Sequence, residues 1–191
     1  MKGSDIPEVR ASPPPPPPLP TRNDNVQPQI KLKTAPTGRF DPIGSAQPEA
    51  YTGPFPTGLY FFYGTLMAPE MLRDILSLKE RPVLRPASIA GYECKLWGQY
   101  PALTEGKPLD KSVAGAVLNV KTEEDAQKLA RYETSNYRPQ PCSISYTDGK
   151  EPATDEGHAF IFVGNPRSLS EGDFDLDVWL KRMGRAVDSG N

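Results

Sequence analysis

The chain has 191 residues, 22 basic and 24 acidic side chains, and a net charge of -2. That length suffices for one domain with its own core and a tail besides, and the charge offers no basic face for nucleic acid. No apolar run is long enough to span a bilayer, and the N-terminus carries no secretory apolar core. Two cysteines (Cys94 and Cys142) without a CxxC pair point to a reducing, cytoplasmic setting, and a single histidine (His158, inside an apolar run) speaks against a zinc site or a Ser-His-Asp triad.

Fourteen of the 23 prolines fall in the first 57 residues, six of them as the block Pro13 to Pro18. With so few large apolar residues, that stretch cannot bury enough surface to offset its ordering entropy. Residues 1–57 are therefore expected to form a mostly disordered, proline-rich leader. Its Pro13 to Pro20 run favours polyproline II, which could dock into an SH3- or WW-type aromatic groove or serve only as a solvated linker.

The pattern changes at Leu59, and a domain is expected over 58–190. Leu59-Tyr60-Phe61-Phe62-Tyr63 is a short aromatic run bounded by Gly58 and Gly64, which predicts a buried strand. Pro69 opens a helix with Met71, Leu72, Ile75 and Leu76 on one stripe. Strand-like segments follow near 83–98, with Pro86 and Gly91 at bends or edges, and over Val113 to Val120. Thr122 followed by three acids predicts a helix start, and that helix ends near Tyr132-Glu133. Two strands, near 141–146 and 158–163, flank the turn signal Asp148-Gly149. A last amphipathic helix is predicted from Phe174 to Val187. Many strands and few helices indicate an α+β domain on a curled or closed sheet.

Two features carry chemistry. Gly64 sits between strand and helix, where glycine gives the backbone freedom and lets a ligand approach. The amides of Thr65, Leu66 and Met67 then lie near a helix N-terminus, a seat for a carboxylate or an oxyanion. A tight connection with no ligand is the alternative. The second feature is Glu133, an acid at a helix C-terminus among Tyr132, Tyr137 and Leu129. The helix dipole and low polarity there both oppose its charge, which is how a carboxylate is tuned to act as a general base. The alternative is a surface acid paired with Arg131 or Arg138. Tyr100 and Tyr137 could lend hydroxyls to such a site, or be aromatics of core or rim. Trp97 and Trp179 read as core, and the cysteines as inert buried thiols.

Taken in order, Tyr63-Gly64-Thr65-Leu66, Tyr100-Pro101-Ala102-Leu103, Val113-Ala114-Gly115 and Leu129 to Glu133 with Tyr137 resemble the γ-glutamylcyclotransferase-like family, in its γ-glutamylamine cyclotransferase or avirulence-induced-gene-type branch. The resemblance covers about Leu59 to Gly164. It implies a small mixed β-barrel with flanking helices, and a metal-independent acyltransferase or lyase without cofactors. The implied reaction cyclises a γ-glutamyl amide, peptide or glutathione-derived conjugate to 5-oxoproline and frees the amine. By position, Glu133 matches the catalytic acid/base, and the backbone of Tyr63, Gly64, Thr65 and Leu66 matches the substrate cradle. Three positions depart from the pattern: Ala130 replaces an Asp, Thr134 a Gly, and Ala116-Val117-Leu118 lacks an acid. The departures keep open a catalytically idle relative that binds a small acid, and the proline-rich leader keeps open an interaction protein.

Overall fold

A computed structural model describes residues 51, 53–106 and 111–185. The Pro13 to Pro20 run and the rest of the leader up to residue 50 lie outside the described residues. Its last part is packed: Phe55 rests against the core, and the Tyr60 hydroxyl donates to the Pro56 carbonyl at 2.7 Å.

Five strands close a barrel: β1 (Gly58–Phe62), β2 (Arg85–Ala90), β5 (Ser112–Val120), β6 (Tyr137–Tyr146) and β7 (Thr154–Phe162), in the spatial order β1-β5-β2-β6-β7. All neighbours are antiparallel except β7 and β1, which close the barrel in parallel through Tyr60 opposite His158 and Phe61 opposite Ala159. The aromatic run of β1 is buried on both faces, which is why it reads as continuous rather than alternating. Phe61 points into the barrel with Ile89, Val117, Ile144 and Ile161. Tyr60 and Phe62 point outward, beneath the helices.

Two helices cover that outer face. In α1 (Pro69–Leu76) the predicted stripe Met71, Leu72, Ile75 and Leu76 is buried, with Pro69 in the first turn. In α2 (Glu123–Glu133) the Thr122 hydroxyl caps the helix by accepting from the Asp125 N–H at 3.1 Å. The last helix is shorter than its periodicity suggests. α3 covers only Leu176–Arg182, because the Asp175 carboxylate accepts from the Val178 N–H and starts the helix there. Phe174 precedes it, and Val187 lies outside the described residues. Trp179 and Leu180 are buried, and Arg185 donates to Asp74 on α1 at 3.0 Å.

The segment predicted as strand near 83–98 is two strands in two different sheets. After β2 the chain turns at Gly91, whose φ of +83° is open to glycine and costly for other residues, and leaves the barrel. β3 (Tyr92–Trp97) then pairs with β4 (Tyr100–Glu105) and with the two-residue β8 (Leu169–Ser170) in a separate three-stranded sheet. β4 packs on β7, which brings Tyr100 to Leu103 over one end of the barrel.

At the turn after β6, Arg85 of β2 grips the Asp148 carboxylate with two hydrogen bonds of 2.9 and 3.0 Å. The same guanidinium reaches the Lys150 and Pro152 carbonyls and lies 3.5 Å over the Tyr146 ring. The Arg85 hydrogen bond holds the Asp148 carboxyl down at about 2. A carboxyl depressed in the folded state stabilises above its unfolded value, near 4, and loses that contribution as pH falls through about 2. Thermal unfolding of Asp148→Asn and the wild type should therefore differ at pH 6 and converge between pH 4 and pH 2. A gap that stays constant with pH would discard this latch.

Candidate active site

Four elements meet at the end of the barrel under β4. The chain leaving β1 runs through Tyr63 and Gly64 into a single 3-10 turn, Thr65–Met67, which leads to α1. The Met67 N–H closes that turn on the Gly64 carbonyl at 2.9 Å, and the Ala68 N–H reaches the Thr65 carbonyl at 3.3 Å. The Met67 amide, expected from sequence to face a ligand, is thus spent inside the turn.

Gly64 serves a different purpose from the one its position suggests. Its φ is -143°, so no left-handed conformation calls for glycine. A Cβ on Gly64 would instead come within 2.4 Å of the Pro101 ring of β4. The glycine admits Pro101, and Pro101 becomes a wall of the site.

Glu133 is the last residue of α2 and only 5 % exposed. It borders a small cavity of about 10 Å³, room for about one water molecule, lined also by Phe61, Phe62, Tyr63, Gly64, Leu66, Pro101 and Phe160. The cavity joins β1, the turn, β4 and the end of α2, so Tyr63, Gly64, Leu66 and Glu133 are brought together as expected. Thr65, Tyr100 and Tyr137 do not line it. Thr65 is buried behind the turn, where its hydroxyl accepts from the Tyr132 hydroxyl at 2.8 Å. Tyr100 is buried among Trp97 and Trp179, which confirms both tryptophans as core. The Tyr137 hydroxyl donates to the Pro101 carbonyl at 3.1 Å and holds the cavity wall from behind.

Three tyrosines surround the carboxylate, and all stay protonated. Burial raises the Tyr63 hydroxyl well above its ordinary value, with the charges of Tyr137 and Glu133 adding to it. Burial does the same for Tyr137, followed by Glu133. Tyr132 is also raised, first by burial, while its bond to Thr65 opposes the shift. The Tyr63 hydroxyl is further committed, donating to the Phe160 carbonyl at 2.6 Å and accepting from the Leu103 N–H at 3.3 Å. None of these phenols is available as a base. Glu133 is the one carboxylate among the cavity-lining residues.

Sequence reading missed Pro101 as a wall and Phe160 as a floor. Pro101 stood inside a recognised motif, but only the third dimension sets it against Gly64. Thr134, noted for replacing a Gly, turns out to be strained. Its φ of 68° with ψ of 178° lies in a region nearly reserved for glycine. Its hydroxyl accepts from the Asn136 backbone N–H and side-chain amide, both at 3.4 Å, too long to offset the strain. Thr134→Gly is expected to raise stability by about 1 kcal/mol, strain relief outweighing the greater freedom of the unfolded glycine. Urea unfolding measures it, and a lower midpoint would refute the strain.

Other reactive groups lie apart from the cavity. Burial pushes the Cys94 thiol up to about 11 and the Cys142 thiol to about 12, which fits inert cysteines. Among the described residues, no group of three or more His, Cys, Asp or Glu could hold a metal ion, and no helix is long and apolar enough to cross a membrane.

The family model described as gamma-glutamyl cyclotransferase, AIG2-like, matches residues 60–180. The chain belongs to this family. The match begins within β1 and takes in all of α2, and so includes the Gly64 turn and Glu133. A solution structure from Arabidopsis thaliana is similar with a TM-score of 0.50 at 21% identity, over 66% of this chain and 82% of its own. A second Arabidopsis thaliana protein gives 0.51 at 22% identity, over 70% and 79%. Both show the same fold, an α+β domain on a small mixed barrel. A yeast gamma-glutamyl cyclotransferase specific to glutathione is similar over 56% of this chain and 69% of its own, at 13% identity and a TM-score of 0.42. No curated protein matches the chain.

Proposed function

We propose that this protein is a γ-glutamylcyclotransferase-type enzyme that converts a γ-glutamyl amide or peptide to 5-oxoproline and a free amine. One observation carries the reading: a buried acid at the end of α2 shares a small, largely apolar cavity with the turn that follows β1. Family membership supports it.

Little machinery is needed. The α-amino nitrogen of a γ-glutamyl unit and the carbonyl carbon it attacks belong to one molecule. Holding that molecule folded supplies an effective concentration on the order of 10⁵ M or more in well-oriented cases. Glu133 takes a proton from the α-ammonium, and the neutral amine attacks the γ-carbonyl. As the bond to the leaving nitrogen breaks, Glu133 returns the proton to that nitrogen; it then takes the extra proton the ring nitrogen gained on attack and passes it to the freed amine, which departs as an ammonium beside a neutral lactam. The N–H of Leu66, the turn residue after Thr65 that borders the cavity, holds either the α-carboxylate or the developing oxyanion. Apolar walls keep water from competing and strengthen each of these interactions. Both protons pass through one carboxylate, which ends as it began, so the chemistry calls for neither a metal nor a covalent intermediate.

The domain is assigned to residues 58–190, with the cytoplasm as its setting. A panel of γ-glutamyl amines, γ-glutamyl amino acids, glutathione and its conjugates, followed by 5-oxoproline release, tests the activity. At least one class should turn over with catalytic amounts of protein. Binding of such compounds without any 5-oxoproline would replace the enzyme with an acid-binding relative.

A further inference from the structure

We propose that the hydrogen bond from Tyr132 to Thr65 is the positioning link that fixes the Glu133 carboxylate relative to the turn facing it. The inference rests on the reading of Glu133 as acid/base. Tyr132 and Thr65 are here positioning residues, acting through their neighbours.

The two groups that must cooperate come from different parts of the chain. Glu133 ends α2, while the turn follows β1, and nothing in local sequence sets the distance between them. Tyr132 directly precedes Glu133, and Thr65 directly follows Gly64. Their hydroxyls meet at 2.8 Å, across 67 residues of sequence. Both residues are nearly sealed from solvent, Tyr132 at 2 % and Thr65 at 1 %. With both residues sealed from water, the bond is stronger than it would be in solvent, and breaking it removes a buried polar contact between the two segments.

The turn is gripped on its other sides as well. Gly64 lies against Pro101, and Leu66 is buried in the outer core. Pro101 is in turn held by the Tyr137 hydroxyl, from the strand that follows α2. Those contacts fix the turn against β4. The Tyr132 bond fixes it against the helix end that presents the acid. A proton transfer tolerates little misplacement, and an error of about 1 Å can cost two orders of magnitude in rate. A bond serving only the fold would leave kcat largely alone once the protein is folded.

The test uses the full chain and the γ-glutamyl substrate found most active in the panel, with melting curves to set a temperature at which every variant is folded. Tyr132→Phe and Thr65→Val remove one hydroxyl each at nearly constant shape. Each should lower kcat about 10- to 100-fold with KM changed less than about three-fold. The double variant should lose little more than the worse single, because both break one bond. Thr65→Ser, which keeps the oxygen, should recover most of the rate lost in Thr65→Val. Single variants with kcat within two-fold of the wild type, or losses that multiply in the double, would overturn the link. Glu133→Gln in the same assay separates the two levels. If it is inactive while Tyr132→Phe is fully active, the positioning inference alone fails. If it is as active as the wild type, the acid/base reading fails first.

Discussion

Glu133→Gln should lose about 10³-fold in kcat on any γ-glutamyl amide the wild type processes, with little change in fold or in KM. The side chains have the same shape, so the cavity between β1, the turn and α2 keeps its walls. What disappears is the ability to take up a proton and give it back. A loss of that size corresponds to about 4 kcal/mol of transition-state stabilisation, within the range ascribed to a positioned acid/base. Glu133→Asp adds a control. It retains the charge but draws the carboxylate back by one methylene, so a proton shuttle should suffer nearly as much as in the glutamine variant. A site needing only negative charge would keep most of its rate. Measured kcat for both variants, at saturating substrate, settles which role the acid plays. Wild-type activity in Glu133→Gln would remove Glu133 from the mechanism, since no other carboxylate borders the cavity.

Legibility in the sequence followed the range of the interaction. The β1 run, the stripe of α1 and the Thr122 cap of α2 are local patterns, and each stands where it was expected. β4 is different. It begins Tyr100-Pro101, and a proline argues against a strand unless that strand lies at an edge, which is where β4 lies in its sheet. β8 has two residues, too few for any periodicity, and its existence depends on β3 being within reach. In the site, the family pattern indicated Glu133 and the Gly64 turn. It could not show why Gly64 is a glycine, because the reason is a ring on another sheet. Nor could it show the bond from Tyr132 to Thr65, which depends on how α2 lies over β1. Thr134 illustrates the converse. The sequence marked it as an oddity, and its backbone angles give that oddity a physical meaning.

Gly115→Ala is the substitution expected to damage the protein most, and its effect should reach the site from inside the barrel. Gly115 lies on the inward face of β5, between Val113 and Val117. A Cβ there would stand 2.1 Å from the Phe62 carbonyl oxygen and 2.5 Å from the Phe61 ring. The ring would yield in a looser interior, but Phe61 is fully buried, and the carbonyl is backbone in the β1–β5 ladder. Relief requires β1 to move, which combines overpacking with lost ladder hydrogen bonds, about 3 to 5 kcal/mol together. Against a typical total of 5 to 15 kcal/mol, that lowers the melting temperature by roughly 10 °C or more. Gly149→Ala provides the contrast. Its φ is +70°, but nothing stands within 4 Å, so only the conformational cost of about 1 kcal/mol applies. Removing the Phe61 ring in the double variant Phe61→Leu with Gly115→Ala should return part of the loss, though not all, because the Phe62 carbonyl is still in the way. Urea unfolding of these three variants orders these costs, and a Gly115→Ala protein within 1 kcal/mol of the wild type would refute the packing described here. Phe62 is the last residue of β1, directly before Tyr63 and Gly64. Any shift that accommodates the new methyl is therefore delivered to the turn. A fraction of Gly115→Ala that still folds should retain Glu133 and yet turn over substrate about 10²-fold more slowly, because the acid faces a displaced partner.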